Sequence, residues 1–257
     1  MDRPALHVDV HPGDGPPVLM VHGVMAGRAL WTANIEALRA VATPVVVELL
    51  GHGRSPSPDD ARWYRPDAYM EHFESLRVQL GVERWLLIGQ SLGASLTLRY
   101  ALDHPQRIIG HVMTNSLSAL AERTGDAAEL DATARGIEER GRPGLVTNRL
   151  NPARARRIVD DVRESLAADQ HLLEPAAIGA AVRHTVLGSS QRMRVAENCV
   201  PTLIVAGTRE AAFEEPCRHA ENNMPLVDVV RVDAGHAPNA EVPELFNHAV
   251  IAFIQRL

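Results

Sequence analysis

Residues 86–98 read Leu-Leu-Ile-Gly-Gln-Ser-Leu-Gly-Ala-Ser-Leu-Thr-Leu. The apolar start is long enough for a buried strand, residues 89–93 match the pattern G-x-S-x-G, and a helical pattern follows. Strand, tight turn and helix together are the context in which this pattern forms a nucleophile elbow. The glycines let the strand and the helix pass closely, and Ser91 is expected at the helix N-terminus with its hydroxyl exposed. The alternative is a glycine-rich turn that carries an ordinary serine.

Short apolar runs alternate with helical patterns on both sides of this stretch. Strands are predicted at 6–11, 18–21, 44–49, 85–88, 108–114, 201–207 and 226–232, and helices at 31–40, 67–80, 92–104 and 241–257. This alternation predicts an α/β fold with a mostly parallel, doubly wound sheet and helices on both faces. Right-handed crossovers then bring the loops after the strands together at one edge. In the last helix, Phe246, Val250, Phe253 and Leu257 form a stripe that is predicted to face the core.

The alternation stops between residues 117 and 195, where the sequence contains no strand-like run. Three helices are predicted there, at 126–140, 152–168 and 175–186, separated by Gly141-Arg142-Pro143-Gly144 and by residues 169–174. We interpret 117–195 as a helical cap inserted into a core formed by 1–116 and 196–257. The alternative is a helical excursion that has no part in the functional site.

Length and composition restrict the function classes. The 257 residues suffice for one large α/β domain with an insertion, and the net charge of −6 gives no indication of nucleic acid as a partner. All 26 basic residues are arginine, which excludes lysine Schiff-base chemistry and a phosphate-binding P-loop lysine. Cys199 and Cys217 are expected to be free thiols. The first residues lack a secretory pattern and no apolar run would span a membrane, so a cytoplasmic protein without membrane contact is expected.

A serine hydroxyl needs a general base, and that base needs an orienting acid. His236 directly follows the last predicted strand, at the same edge of the sheet as Ser91, and is the candidate base. Glu210 comes three residues after Gly207, which ends the preceding strand, and is the candidate acid. Glu214 and Glu215 are nearby competitors.

With these motifs in this order, the chain resembles the α/β-hydrolase superfamily along its whole length. The matching segments are His22-Gly23-Val24, Gly51-His52-Gly53-Arg54-Ser55, Gly89-Gln90-Ser91-Leu92-Gly93, Gly207-Thr208-Arg209-Glu210 and Gly235-His236. The resemblance implies an oxyanion hole formed by the backbone N–H groups of Val24 and Leu92. The chain departs from the family pattern in two places: most relatives carry aspartate at the positions of Glu210 and Glu48. Some relatives carry the acid after the strand that corresponds to 108–114, so the resemblance leaves that loop as a further place for it, with Glu122 as the first acidic residue there.

The resemblance implies a serine hydrolase that cleaves a carboxylic ester, thioester or lactone through an acyl-enzyme. Its expected partner is a small acyl substrate, and no metal or organic cofactor is implied. The chain is similar in size to small bacterial carboxylesterases, acyl-carrier-protein methyl ester esterases and the menaquinone-pathway synthase. Alternatives are therefore a carbon–carbon bond hydrolase, a synthase-type lyase that uses the same residues, and a small-molecule receptor built on a hydrolase scaffold.

Overall fold

A β-sheet forms the centre of the molecule. The structure is a computed structural model that describes residues 3–122 and 126–257. Residues 1–2 of the predicted core and 123–125 of the predicted cap lie outside this description. Seven strands are found in the described chain: β1 (His7–Val10), β2 (Pro17–Val21), β3 (Thr43–Glu48), β4 (Trp85–Gly89), β5 (Ile108–Met113), β6 (Thr202–Gly207) and β7 (Val227–Val232). Their order is β1-β3-β2-β4-β5-β6-β7, and only the β1–β3 pair is antiparallel. The predicted fold class is confirmed.

The central strands are apolar throughout because helices cover both faces of the sheet. Every residue of β4 is buried, as in a parallel strand with no solvent-facing side. Gly89, the last residue of β4, is paired with Val21 of β2 and with Met113 of β5. The carboxyl ends of three neighbouring strands are therefore level, and the loops that follow them share one edge of the sheet.

Ten α-helices occur in the described residues: α1 (Thr32–Leu38), α2 (Pro66–Gln79), α3 (Leu92–Asp103), α4 (Leu117–Leu120), α5 (Ala127–Thr147), α6 (Asp160–Ala168), α7 (Pro175–Ala180), α8 (Glu214–Asn223), α9 (Pro238–Glu241) and α10 (Pro243–Ile254). Helices α2 and α3 pack on one face of the sheet, with Phe73 and Tyr100 in the apolar cluster there. Helices α1 and α10 cover the other face, with Leu38 and Phe246 in its cluster. The sheet is thus doubly wound, as the alternation predicts.

The closing helix differs from its prediction at both ends. The segment predicted as one helix over 241–257 contains a break at Val242, which adopts φ −136° and ψ 60° between α9 and α10. A residue before proline is disfavoured in the α region, and Pro243 follows. Phe246, Val250 and Phe253 are buried as expected, whereas the prediction for Leu257 is wrong, because the helix ends at Ile254 and Leu257 is 47% exposed.

Three other predicted helices have different bounds. The one at 31–40 starts as a 3-10 turn over Arg28–Trp31 and continues as α1. The one at 152–168 is a 3-10 turn over Pro152–Arg154 followed by α6, because the Val159 N–H donates to the Ala240 carbonyl, 3.0 Å away, instead of to its own helix. The one at 175–186 is α7 followed by a π-helical turn over Ala181–Val186.

Helix α5 passes through the segment that was predicted to separate two helices. Gly141, at φ +56° and ψ −147°, kinks the helix, and the chain then resumes helical geometry with Pro143 in the first turn of the second part. Proline is tolerated there because the first N–H groups of a helical segment have no intrahelical acceptor. The predicted break is therefore present as a kink at one residue, and the helix ends at Thr147.

Candidate functional site

Ser91 lies at the sharp turn between β4 and α3. Its backbone has φ +53° and ψ −118°, a strained conformation for a residue with a side chain. The turn requires small neighbours, since a Cβ at Gly93 would lie 2.0 Å from the Val21 carbonyl oxygen and one at Gly89 2.5 Å from the Cα of Ala94. The backbone thus holds Ser91 at the N-terminus of α3, as the G-x-S-x-G pattern predicts.

A cluster of three serine hydroxyl groups, those of Ser95, Ser116 and Ser118, lies next to this turn. Ser116 Oγ donates to the Ser91 carbonyl oxygen at 2.7 Å and accepts from the Ala119 N–H at 3.1 Å. Ser95 Oγ lies 3.2 Å from Ser116 Oγ and 2.5 Å from Ser118 Oγ. The strained peptide after Ser91 is therefore hydrogen-bonded to a side chain anchored in the loop after β5.

His236 and Glu210 form a hydrogen-bonded pair at the ends of β7 and β6. His236 Nδ1 lies 3.0 Å from both Oε1 and Oε2 of Glu210. A carboxylate only accepts, so the imidazole carries its hydrogen on Nδ1 and leaves Nε2 free to act as a base. Burial raises the pKa of Glu210, but the hydrogen bond and charge of His236 and the hydrogen bond from Asn115 outweigh burial, and the pKa lies below its usual value.

The competing acidic residues are held elsewhere. Glu214 pairs with Arg218, and Glu215 pairs with Arg192, both on the solvent-exposed side of α8. Glu122, the first acidic residue after β5, is exposed and is not among the residues that line the cavity around Ser91. Of the acids considered from the sequence, the structure brings only Glu210 to His236.

Asn115 is a residue that the sequence analysis missed. It is the second residue after β5 and is completely buried. Its Oδ1 accepts from the Gly207 N–H at 2.7 Å, and its Nδ2 donates to the Gly207 carbonyl at 3.0 Å and to Glu210 Oε2 at 2.9 Å. The side chain thus ties the end of β6 to the carboxylate. The sequence signal that could have identified Asn115 is its position in the loop after β5, because that loop was the alternative position for the acid.

A second carboxylate holds the histidine loop. Glu241 Oε2 accepts from the Gly235 N–H at 2.7 Å, and Glu241 Oε1 accepts from the Ala237 N–H at 3.1 Å. These N–H groups flank His236 on both sides. The carboxylate therefore fixes the backbone that carries the imidazole. Both hydrogen bonds are charge-assisted, which makes them stronger than bonds between neutral groups.

Two buried histidines fix the loop that contains Val24. His22 Nδ1 lies 2.7 Å from the Gly23 carbonyl, and its Nε2 accepts from the Leu49 N–H at 3.0 Å. His52 Nε2 likewise accepts from the Met25 N–H at 3.1 Å. Burial lowers the pKa of His22 to about 4 and that of His52 to about 3, so both rings stay neutral and can accept. Their contacts tie the 22–25 loop to the loop after β3.

All five predicted site residues line one cavity of about 380 Å³: Val24, Ser91, Leu92, Glu210 and His236. The segment between β5 and β6 supplies much of the opposite wall, through Leu117, Ser118, Arg149, Leu150, Asn151, Pro152, Ala155, Ile158 and Val186. Among the described residues Ser91 and His236 share the cavity without a direct hydrogen bond between their side chains. Catalytic hydrogen bonds often tighten only when substrate binds.

The described residues also limit other kinds of site. Residues 3–122 and 126–257 contain no group of three His, Cys, Asp or Glu side chains arranged to hold a metal ion. In the same part of the chain, Cys199 and Cys217 are unpaired, the first exposed and the second buried. None of the helices described has the length and apolarity needed to cross a membrane.

In a comparison with known proteins, the family model of the alpha/beta hydrolase fold matches residues 16–140. Among curated proteins, a putative 2-succinyl-6-hydroxy-2,4-cyclohexadiene-1-carboxylate synthase of Bacillus subtilis is 25% identical over 96% of this chain and 93% of its own length. Carboxylesterase YbfK, also of Bacillus subtilis, is 28% identical over 95% of this chain and 81% of its own length.

Two further matches differ in extent. The (lyso)-N-acylphosphatidylethanolamine lipase of Mus musculus is 35% identical over 97 residues, which make up 37% of this chain and only 28% of the lipase. The solved structure of MenH from S. aureus superposes with a TM-score of 0.84 and 18% identity, over 97% of this chain and 98% of that chain. At this identity the structural match shows a common fold.

Proposed function

We propose that this chain, an enzyme of the hydrolase type whose residues 16–140 match the family model of the alpha/beta hydrolase fold, cleaves a carboxylic ester, thioester or lactone through an acyl-enzyme. Ser91 is the nucleophile, His236 the general base and Glu210 the acid that orients His236. The backbone N–H groups of Val24 and Leu92 form the oxyanion hole.

The reaction follows from this assignment. His236 Nε2 accepts the proton of Ser91 as Oγ attacks the carbonyl carbon, and then donates it to the leaving alcohol, thiol or enol. Glu210 stabilises the imidazolium that forms between these steps. The oxyanion is held by two N–H groups, each worth about 3–4 kcal/mol in comparable sites. Water activated by His236 then releases the acid and restores Ser91.

One observation carries this proposal. The Glu210–His236 pair and the strained Ser91 turn come from three separate loops, yet they open into the same cavity. A histidine that was paired with a glutamate for structural reasons alone would not account for a strained serine in the same cavity. The 28% identity to a carboxylesterase over 95% of the chain agrees with ester cleavage.

We assign residues 117–195 a role as a cap over this site. The support is that nine residues of the segment line the cavity that contains Ser91. Its first helix, α4, also packs against core residues, because Ala119 and Leu120 share an apolar cluster with Ile204 of β6. A deletion that tests the role of the cap should therefore begin after α4.

Labelling with a fluorophosphonate tests the nucleophile. The unmodified protein is expected to take one label, located on Ser91 by peptide mass spectrometry, and to hydrolyse 4-nitrophenyl esters. Ser91→Ala should lose both properties while keeping the same circular dichroism spectrum. Label found on Ser118, the other serine that lines the cavity, would contradict the assignment, as would hydrolysis by Ser91→Ala at the rate of the unmodified protein.

A synthase-type lyase is the second candidate, and the 25% identity to the putative carboxylate synthase over nearly the whole chain favours it. In that case Ser91, His236 and Glu210 would act together as a base, without acylation of the serine. A carbon–carbon bond hydrolase would use the same residues on a carbon leaving group, and a receptor would bind without turnover. Rapid turnover of simple esters with an acylated Ser91 would exclude the lyase and the receptor.

A further inference from the structure

The cavity around Ser91 is mostly apolar, but its wall contains an arginine. Arg149 lies in the exposed turn between α5 and α6 and lines this cavity together with Leu150. The acidic groups in the wall are Glu210 and Glu241, and the wall also contains the imidazole of His236. An arginine is the only fixed positive charge among these lining residues.

A second, wider cavity of about 840 Å³ adjoins the first. Four residues line both of them: Val24, Arg149, Leu150 and Val186. These residues therefore lie where the two cavities meet, and Arg149 is the only charged one of the four. The outer cavity is also lined by Arg140 and Glu129. A substrate that extends outward from Ser91 would pass Arg149.

The acidic side chains in both cavities already have partners. Glu210 is bound to His236 and Asn115, and Glu241 accepts from two backbone N–H groups. Glu129 forms the capping box at the start of α5. Arg149 differs from these, since within residues 3–122 and 126–257 its guanidinium forms no ion pair. In a protein of net charge −6, this places an uncompensated positive charge at the passage to Ser91.

We propose that the substrate carries a carboxylate, which Arg149 binds where the two cavities meet while the scissile carbonyl reaches Ser91. The guanidinium presents paired N–H donors that match a carboxylate, and the apolar inner cavity accommodates the carbon chain between the two groups. This inference rests on the proposed function for its chemistry, and it adds the substrate class: anionic rather than neutral esters.

The test compares each anionic ester with its neutral counterpart. The first pair is 4-nitrophenyl hemiglutarate and its methyl ester, which place the carboxylate on the acyl side. The second pair is 4-acetoxybenzoate and its methyl ester, which place it on the leaving group. The measured quantity is the ratio of kcat/KM for the anionic ester to kcat/KM for the neutral one, in the unmodified protein, in Arg149→Gln and in Arg156→Gln. Arg156 is an exposed arginine of the same segment that lines neither cavity.

In at least one pair, Arg149→Gln should lower the ratio about tenfold, as expected for the loss of a charge-assisted hydrogen bond, and Arg156→Gln should leave it within twofold. An unchanged ratio in both pairs, or an equal fall in Arg156→Gln, would overturn the inference.

Binding of the same esters to Ser91→Ala, measured by calorimetry with and without Arg149→Gln, does not depend on turnover. If the unmodified protein cleaves none of the esters, the proposed function fails. The carboxylate site is then judged by binding: preferential binding of the anionic esters that is lost in Arg149→Gln supports the site, and equal binding of both members of each pair overturns it.

Discussion

Glu210 has one methylene more than the aspartate that is usual at its position, and the structure shows how that length is accommodated. The carboxylate meets His236 Nδ1 with both oxygens at 3.0 Å, and Asn115 holds one of them from the other side. A longer side chain has more rotamers to restrict. The amide of Asn115 restricts it, so the pair that the sequence suggested depends on a residue that the sequence analysis did not single out.

Glu210→Gln should lower kcat by about 10²- to 10⁴-fold, because the amide keeps the shape but cannot stabilise the imidazolium. Glu214→Gln and Glu215→Gln are matched controls, since they make the same change on the surface of α8, where each carboxylate pairs with an arginine. Steady-state kinetics on one ester would compare all three. A loss in Glu210→Gln no greater than in the controls would place the orienting acid elsewhere.

Asn115→Ala should lower kcat about tenfold with little change in KM, because Glu210 loses its hydrogen bond and the pair with His236 loosens. The variant should also lose about 1–3 kcal/mol of unfolding free energy, since Gly207 loses two partners. Asn198→Ala is the control: Asn198 is buried near the start of β6 and binds the Val200 and Pro225 carbonyls. If both variants lose stability and kcat equally, Asn115 has only a structural role.

At the scale of elements, helix α5 contains a matched pair of glycines in opposite situations. Gly136 lies within the helical part, where a Cβ would meet only the flexible end of Arg140, 3.0 Å away. Gly141 lies at the kink with φ +56° and ψ −147°, where a Cβ has open space but the backbone conformation is disfavoured. At Gly136 the helical backbone suits alanine although the space for a Cβ is tight. At Gly141 the space is open, but the backbone conformation disfavours alanine.

Gly136→Ala should raise the free energy of unfolding by about 0.5–1 kcal/mol, the usual difference between alanine and glycine inside a helix. Gly141→Ala should lower it by about 1–3 kcal/mol, because alanine is strained at these dihedral angles. Urea denaturation of both variants provides the measurement. Stabilisation by Gly141→Ala would mean that α5 is continuous in solution, without the kink.

The helical elements also show where prediction from the sequence fails. Buried strands were predicted within one or two residues, since a run of apolar residues bounded by glycine or proline is a local signal. The break at Val242 follows from Pro243 and could have been predicted from the sequence. The non-helical chain before α6 could not have been predicted, because Val159 donates its N–H to Ala240, which is 81 positions away along the chain. Contacts of this range override local helix propensity.

At the scale of the whole molecule, several buried histidines couple folding to pH. Burial lowers the pKa of His22 and His72 to about 4, and that of His52 and His111 to about 3. In the unfolded chain each has a pKa near 6.5. Below that pH the unfolded state binds protons that the folded state does not, so stability falls as pH falls from about 6.5 towards 4.

Urea denaturation at pH 7, 6 and 5 should therefore give a decreasing free energy of unfolding. Each such histidine adds up to about 1.4 kcal/mol per pH unit to the slope. The lowered pKa of Glu210 acts in the same direction at lower pH, because its carboxylate is stabilised in the folded state. Constant stability from pH 7 to pH 5 would show that the buried histidines take up protons without unfolding.

The positions of the candidate site residues were predictable to the extent that each residue follows a strand. Ser91, Glu210 and His236 come after β4, β6 and β7, and the edge where parallel strands end is fixed by topology. Asn115 and Glu241 gave no motif, because their roles depend on side-chain contacts across loops. Arg149 lies in an irregular turn, and only the folded chain shows which cavity it lines.

The central claim is that Ser91 becomes acylated during turnover, and intact-protein mass spectrometry tests it most directly. The protein is mixed with a slowly cleaved ester, quenched in acid within the first turnovers and analysed for added mass, with the modified peptide identified after digestion. We predict an adduct equal to one acyl group, on Ser91, that disappears as substrate is exhausted and is not formed by Ser91→Ala. Continued ester turnover with no adduct at any time, or with the adduct on another residue, would contradict the account.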